Sequence, residues 1–236
     1  MIENFNIITY LTKKYETSNR GPGFVSTGNG DIGGQSYGSY QLASNVGSVN
    51  DFINWLIKYP KKELANYGKV LNQYQINSKQ FINLWQEIGN IDSGNFEMLQ
   101  DEYIIEKYYN PTIQRLKAKY FNINNHSLAM KSIVLSRSIQ NGGTGCINLL
   151  EIVCTDWYEY PNLSYLDNKY FDKDFIIDIY NFLINECDSV YWDYNLNYYR
   201  STYNFCHAYT MSVINGLRNR FVHEKEDALE LLFKYN

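Results

Sequence analysis

Apolar positions recur every three to four residues over most of the chain, and one early segment breaks that rhythm. In residues 2–15, Phe5, Ile8, Leu11 and Tyr15 stand three to four apart, the spacing of one face of an amphipathic helix. The pattern predicts a short helix over 51–58, ending before Pro60, and longer ones over 78–89 and 95–109, the latter with Phe96, Leu99 and Tyr103 as a stripe. Pro111 suits the first turn of the next helix, which runs to about Tyr120. Residues 127–140 (SLAMKSIVLSRSIQ) are apolar nearly all round, as in a buried helix, and NGGTG at 141–145 supplies the glycines of a C-terminal cap. A further helix runs through Leu149 to about Trp157. Phe175, Ile176, Ile179, Phe182 and Leu183 mark one over 172–186. The last 25 residues read as one or two helices with Leu217, Phe221, Ala228 and Leu232 inward.

The interruption lies at 17–47. Seven of the chain's 15 glycines fall within residues 21–38, among Ser, Thr and Asn. Glycine supplies positive φ and close backbone approach, so tight turns and a small hairpin are expected there. With no internal repeat, long linker or second composition regime, the expectation is one domain over residues 1–236. Its class is mainly α, with one irregular glycine-rich element.

Composition narrows the function classes. Hydrophobic residues make up 44% and charged residues 19%, which fits a folded chain rather than a disordered one. The net charge of −4 leaves no basic field for nucleic acid. No apolar run approaches the ~18 residues of a membrane helix, so no membrane insertion is expected. The start MIENFNIITYLTKKYE is acidic and has no unbroken apolar core, which predicts synthesis in the cytoplasm without a Sec leader. Lysis or a secretion machine remain as exits. Cys146, Cys154, Cys187 and Cys206 are spaced by 8, 33 and 19 residues with no CxxC, and His126, His207 and His223 add no ligand cluster. No metal site and no cofactor are expected. Four buried thiols are the plain reading, with a bridge between the segments around Cys187 and Cys206 left open.

The chemistry concentrates where the first helix ends in Tyr15-Glu16-Thr17-Ser18 and GNGDIGGQSYGSYQ follows. A carboxylate at a helix C-terminus is disfavoured by the dipole, which raises the Glu16 pKa if the site is partly buried. Asp31, among glycines and polar neighbours, should stay ionised. Two carboxyls held apart in pKa are what general acid/base hydrolysis of a glycoside needs. A helix-end Glu and a loop Asp are also commonplace, so composition alone favours the bland reading. The loop lacks the Lys-Ser/Thr of a P-loop, follows a helix rather than the strand of a dinucleotide fold, and is too poor in acids for calcium.

YETSNRGPGFVSTGNGDIGGQSYGSYQL resembles the catalytic segment of a peptidoglycan-hydrolase family in the lysozyme-like superfamily. That family occurs as the C-terminal muramidase domain of type VI secretion spike proteins and in phage-type and tail-associated wall hydrolases, with a chitosanase-like fold. FEMLQDEYIIEKYYNP at 96–111, LSRSIQNGGTG at 135–145 and GLRNRFVHEKEDALELL at 216–232 are similar to its later segments, in order. The resemblance implies two helical lobes with the glycine-rich element at the cleft, no cofactor or metal, and a peptidoglycan glycan strand as substrate. It places the family's essential Glu on Glu16 and its essential Asp on Asp31, 15 residues apart. Asn141 stands where the family often has His. A larger tail or secretion machine is an implied partner.

Around that pair, Tyr37 and Tyr40 are candidates to stack on sugar faces, with core filling as the alternative. Ser26, Ser36 and Gln41 are candidates to hydrogen-bond N-acetyl or hydroxyl groups, or else to satisfy turns. Gln140 and Asn141 line the cleft or cap a helix. Arg218 and Arg220 with Glu224 read as structural ion pairs, or as groups orienting Asp31 or substrate. His126 reads as a helix-start residue and His223 as exposed, neither with a role. The function expected is cleavage of the β-1,4 glycan backbone of peptidoglycan, Glu16 protonating the glycosidic oxygen and Asp31 activating water. The alternatives are a chitosanase- or chitinase-like hydrolase, a non-catalytic wall-binding or tail scaffold, and an endopeptidase, for which no Cys-His motif is visible.

Overall fold

Helix α1, Ile2–Thr17, opens the structure, a computed structural model that describes residues 2–17, 20–28 and 34–235, the side chains of 2–4, 16, 17 and 157 excepted. The chain divides into two compact units, Thr12–Lys107 and Met1–Leu11 with Tyr108–Asn236. Both are helical, and the mainly α expectation holds.

In the unit Thr12–Lys107, strands β1 (Ser36–Tyr37) and β2 (Leu42–Ala43) pair antiparallel around a 3-10 turn. This is the small hairpin expected of the glycine-rich segment. Helix α2 (Ser48–Ile57) buries Val49, Phe52, Ile53 and Leu56, the i, i+3, i+4, i+7 set of one face. Helix α3 (Lys62–Leu71) packs on α2, and a Cβ on Gly68 would crowd Leu56 and Ile57. The sequence reading leaves α3 out, because KELANYGKV shows only Leu64 and Ala65 as inward residues before Gly68. Helix α4 (Lys79–Ile91) starts at Ser78, whose hydroxyl accepts from the Phe81 N–H at 3.2 Å. Helix α5 (Ser93–Ile104) runs on into a π-turn over Ile105–Tyr109. Phe52, Phe81, Trp85, Phe96 and Tyr103 form the aromatic centre of this unit.

In the other unit, α6 (Asn110–Ala118) takes Pro111 in its first turn, as expected. Helix α7 (Leu128–Gln140) begins at Ser127, which caps Met130, and is buried along most of its length. Gly142, with φ +70°, ends α7 and opens α8 (Gly142–Ile152), so NGGTG joins two helices rather than only closing one. A π-turn over Val153–Trp157 follows. Helix α9 (Asp172–Asp188) leads into a three-stranded antiparallel sheet of β3 (Tyr191–Asp193), β4 (Tyr198–Arg200) and β5 (His207–Ala208). A Cys187–Cys206 disulfide joins the end of α9 to the start of β5, while Cys146 and Cys154 are free and buried. The sheet is a correction to the sequence reading, and the disulfide replaces the four-thiol reading for two of the cysteines. Helix α10 (Met211–Tyr235) is one helix of 25 residues. It packs on α7 and α9 with Phe221, Ala228 and Leu232 buried and Leu217 half-buried.

Candidate active site

Glu16 lies in the last turn of α1, but its side chain is outside the described residues, and so is Asp31 within 29–33. What the structure describes is the chain between α1 and α2 on either side of those undescribed residues. After α1 the Gly-Pro-Gly run is fastened to two helices. The Pro22 carbonyl accepts from Trp85 Nε1 of α4 at 2.9 Å and from Gln100 Nε2 of α5 at 3.0 Å. Gly23 packs backbone to backbone on Gly89 of α4, and a Cβ on Gly89 would overlap it. Small residues are needed at both positions for this approach.

The two flanks of the Asp31 segment are tied to each other. The Ser26 N–H donates to the Ser36 carbonyl at 2.9 Å, and the Ser36 N–H donates to Ser26 Oγ at 2.8 Å. Val25 bridges to Tyr37, and the Gly38 N–H reaches the Phe24 carbonyl at 2.8 Å. Gly28 and Gly34, at φ +68° and +76°, turn the chain on either side. Gln100 completes the frame by accepting from the Ser39 N–H at 2.9 Å. One buried amide thus holds both the Gly-Pro-Gly run and the turn of the hairpin.

Beside this frame lies a charged cluster that sequence reasoning did not assign. Asp101 of α5 is buried, accepts from the Tyr40 hydroxyl at 2.5 Å and pairs with Lys13 Nζ at 3.1 Å. Lys13 also reaches Glu97 at 3.2 Å. It stands one helical turn before Glu16 on α1. Burial lifts the Asp101 carboxyl above its ordinary range, and Lys13 and Tyr40 offset part of that lift. The sequence carries no local signal for this cluster, because Asp101 lies beside the Phe96, Leu99 and Tyr103 stripe and its partners come from distant segments.

The expected binding residues divide. Ser26 is half-buried, and Ser36 is buried in the frame. The Tyr37 ring is fully buried, edge-on to Phe81 and Trp85, with its hydroxyl on Gln35 and Asn77 at 3.1 and 3.0 Å. Burial pushes that hydroxyl up to about 12. Tyr40 is likewise buried, so the core-filling reading describes both rings. Gln41 is exposed and closes the turn at φ +49°. Gln140 and Asn141 belong to the other unit, at the end of α7. Their side-chain carbonyl oxygens are buried with no hydrogen-bond partner among the described residues.

The ion-pair reading needs one correction. Glu224 is fully buried and takes both carboxylate contacts from Arg137 Nη2, at 2.8 and 2.6 Å, with Arg220 Nε at 3.6 Å. Arg218 instead pairs with Asp188 at 2.6 Å, because Asp188 ends α9 directly beside it. His126 is buried between Asp172 (2.6 Å) and Asp167 (3.3 Å), while His223 is exposed. Among the described residues no cluster of three or more His, Cys, Asp or Glu is placed to hold a metal ion, and no helix is long and apolar enough to cross a membrane.

Residues 8–225 match the family model of the type VI secretion system spike protein VgrG3-like C-terminal region. The chain is 33% identical over 132 residues to the type VI secretion system spike protein VgrG3 of Vibrio cholerae serotype O1, a match that covers 56% of this chain and 12% of that protein. Among solved structures it is similar to the native chitosanase of Bacillus subtilis MY002, with a TM-score of 0.56 and 15% identity, over all of this chain and 90% of that one. That likeness bears on the fold, which is the mainly helical, chitosanase-like one expected.

Proposed function

The chain belongs to the VgrG3-like C-terminal family of type VI secretion system spike proteins, and from that premise we propose that it is a glycoside hydrolase acting on the β-1,4 glycan backbone of bacterial peptidoglycan. Glu16 is the general acid and Asp31 the general base. The observation that carries the reading is the family match itself, because residues 8–225 include both carboxylates and the frame between them. The frame adds a physical reason. A base must be held within hydrogen-bond reach of its water, and the segments that flank Asp31 are tied to each other through Phe24, Val25 and Ser26 on one side and Ser36, Tyr37 and Gly38 on the other. Ser26 and Gln41, half-buried and exposed in the frame, are the proposed polar contacts to substrate.

In the mechanism, protonated Glu16 donates to the glycosidic oxygen as the bond to the anomeric carbon breaks. Asp31 takes a proton from the water that attacks the same carbon. Both steps use side chains of this chain alone. As a member of a spike-protein family, the domain would reach the wall as part of, or carried by, a larger secretion machine.

Digestion of purified peptidoglycan tests the reading. New reducing ends with no new free amines are expected, and mass spectrometry of the fragments identifies the bond. New amines without reducing sugar would turn the reading to a peptidase. Release from chitosan but not from peptidoglycan would turn it to a chitosanase-like enzyme. Binding without release would leave a scaffold.

A further inference from the structure

The unit Thr12–Lys107 carries two adjoining surface pockets of about 490 and 570 Å³. Trp55, Lys58 and Glu106 line both, so the two pockets adjoin along these three residues. The Trp55 ring is half-buried and fixed in place. Its Nε1–H donates to Glu106 at 2.9 Å. Phe52 stacks along it with planes 16° apart, and Tyr59 and Tyr103 lean against it with centroids at 5.2 and 5.7 Å. Those neighbours are held in turn: Tyr59 donates to Glu102 at 2.7 Å, and Lys107 donates to Tyr103 at 2.8 Å and to Asp51 at 2.5 Å.

We propose that Trp55 is the stacking platform of a glycan-binding site, on which an amino-sugar chain crosses from one pocket to the other. The inference rests on the glycan reading above and names a surface of the unit Thr12–Lys107 where that chain is held. Both volumes fall in the range of ligand sites, ~300–1,000 Å³. The face of an aromatic ring is electron-rich, and it attracts the C–H groups that cover one face of a pyranose. A ring already locked by Glu106 and Phe52 loses little freedom when a sugar settles on it. The carboxylates around it are engaged: Glu106 by Trp55, Glu102 by Tyr59 and Asp51 by Lys107. Lys58 and Lys61 at the rim are exposed and have no ion pair among the described residues. A neutral hydroxyl or indole donor does not cancel a carboxylate's formal charge, so Asp51, Glu102 and Glu106 balance Lys58, Lys61 and Lys107 in the lining, and the two lysines without an ion pair are the groups that can meet the carboxylates of muramyl peptides.

The test is binding, recorded on the full chain carrying Glu16→Gln so that glycan is not consumed. Co-sedimentation with insoluble peptidoglycan should weaken about tenfold in Trp55→Ala and much less in Trp55→Phe, which keeps an aromatic face. The rim pair Lys58→Glu with Lys61→Glu changes only exposed side chains. It should weaken binding to peptidoglycan and leave binding of N-acetylchitotetraose unchanged. In nitrogen-15 NMR the Trp55 indole N–H should shift saturably as N-acetylchitotetraose is added. A Trp55 signal that stays still while other signals saturate overturns the site, whether or not Trp55→Ala folds. A moving Trp55 signal in a protein that cuts no glycosidic bond sinks the hydrolase reading and leaves this site standing.

Discussion

Gly38 and Gln100 meet so closely that a Cβ added to Gly38 would overlap the Gln100 side-chain amide. Gly38 also sits at φ +72°, which L residues rarely adopt. Gly38→Ala should therefore cost about 2–4 kcal/mol, from left-handed strain and from overpacking. Because Gln100 also holds Pro22, the Gly-Pro-Gly run should loosen with the hairpin. Denaturant unfolding measures the stability loss. A variant within 0.5 kcal/mol of wild type, an ordinary value for a neutral surface change, would show that the frame is not built around this contact.

Glu16→Gln changes one atom of the side chain and removes the proton donor. Hydrolysis should fall ~10²–10⁴-fold with thermal stability near that of wild type. More than a tenth of the activity remaining would mean that Glu16 is not the acid. Asp31→Asn should be as inactive and should still sediment with glycan. With Asp31 as base rather than nucleophile, the first-formed product should have inverted anomeric configuration by proton NMR. A covalent sugar adduct on Asp31 points instead to double displacement.

Arg137 and Glu224 are both fully buried. Ser136 adds a hydrogen bond to the same carboxylate at 2.5 Å, and the Arg137 guanidinium lies over Phe221 at 5.2 Å. Removing one partner strands a charge away from water, so Glu224→Ala should cost about 3–5 kcal/mol. The double change Arg137→Met with Glu224→Leu should cost less than the two single changes added together. Additive costs in urea unfolding would refute coupling between the two residues.

Much of this fold is legible because helical periodicity is a local property. Phe96, Leu99 and Tyr103, or Phe175, Ile179 and Leu183, declare their helices without help from the rest of the chain. The glycine-rich segment is legible for the same reason, since positive φ has to be met by glycine at Gly28, Gly34 and Gly38. The β3–β5 sheet is not, because its strands are three or two residues long and their pairing is a tertiary fact. The same holds for the frame. Gln100 and Asp101 look like solvent-facing polar residues until Pro22, Ser39, Tyr40 and Lys13 are brought to them. Tyr37 and Tyr40 mislead in the opposite direction, since a loop tyrosine beside serines reads as a sugar platform while both rings are core.

The cysteines give a chemical count. Cys187 and Cys206 are bonded, and burial pushes the Cys146 and Cys154 thiols up to about 12 and about 11. Neither free thiol should react with a thiol reagent at neutral pH in the native protein. Unfolding without reductant should expose two thiols per chain, and reduction four. Replacing the Cys187–Cys206 pair by alanine should cost about 2–4 kcal/mol, because the bridge restrains the unfolded chain. Four reactive thiols before reduction would show that the bridge is absent.

Asp101 gives the fold a pH dependence opposite in sign to that of most paired carboxylates. Burial is the largest influence on it and raises its pKa above the unfolded value, with Lys13 and Tyr40 pulling it back only in part. A carboxyl with the higher pKa in the folded state binds more protons there than when unfolded. Its contribution to stability is fully present below the unfolded pKa, near 3.8, and is lost as pH rises through the folded pKa. Asp101→Asn keeps the shape and an acceptor for Tyr40 but cannot titrate. Wild type should therefore gain stability relative to Asp101→Asn as the pH is lowered from neutral toward the unfolded pKa, and the gain should level off below it. Urea unfolding of both proteins across that range reads the difference directly. If wild type instead loses ground as the pH falls, the Lys13 and Tyr40 contacts outweigh desolvation, and Asp101 is an ordinary ion-pair carboxylate holding α1 to α5.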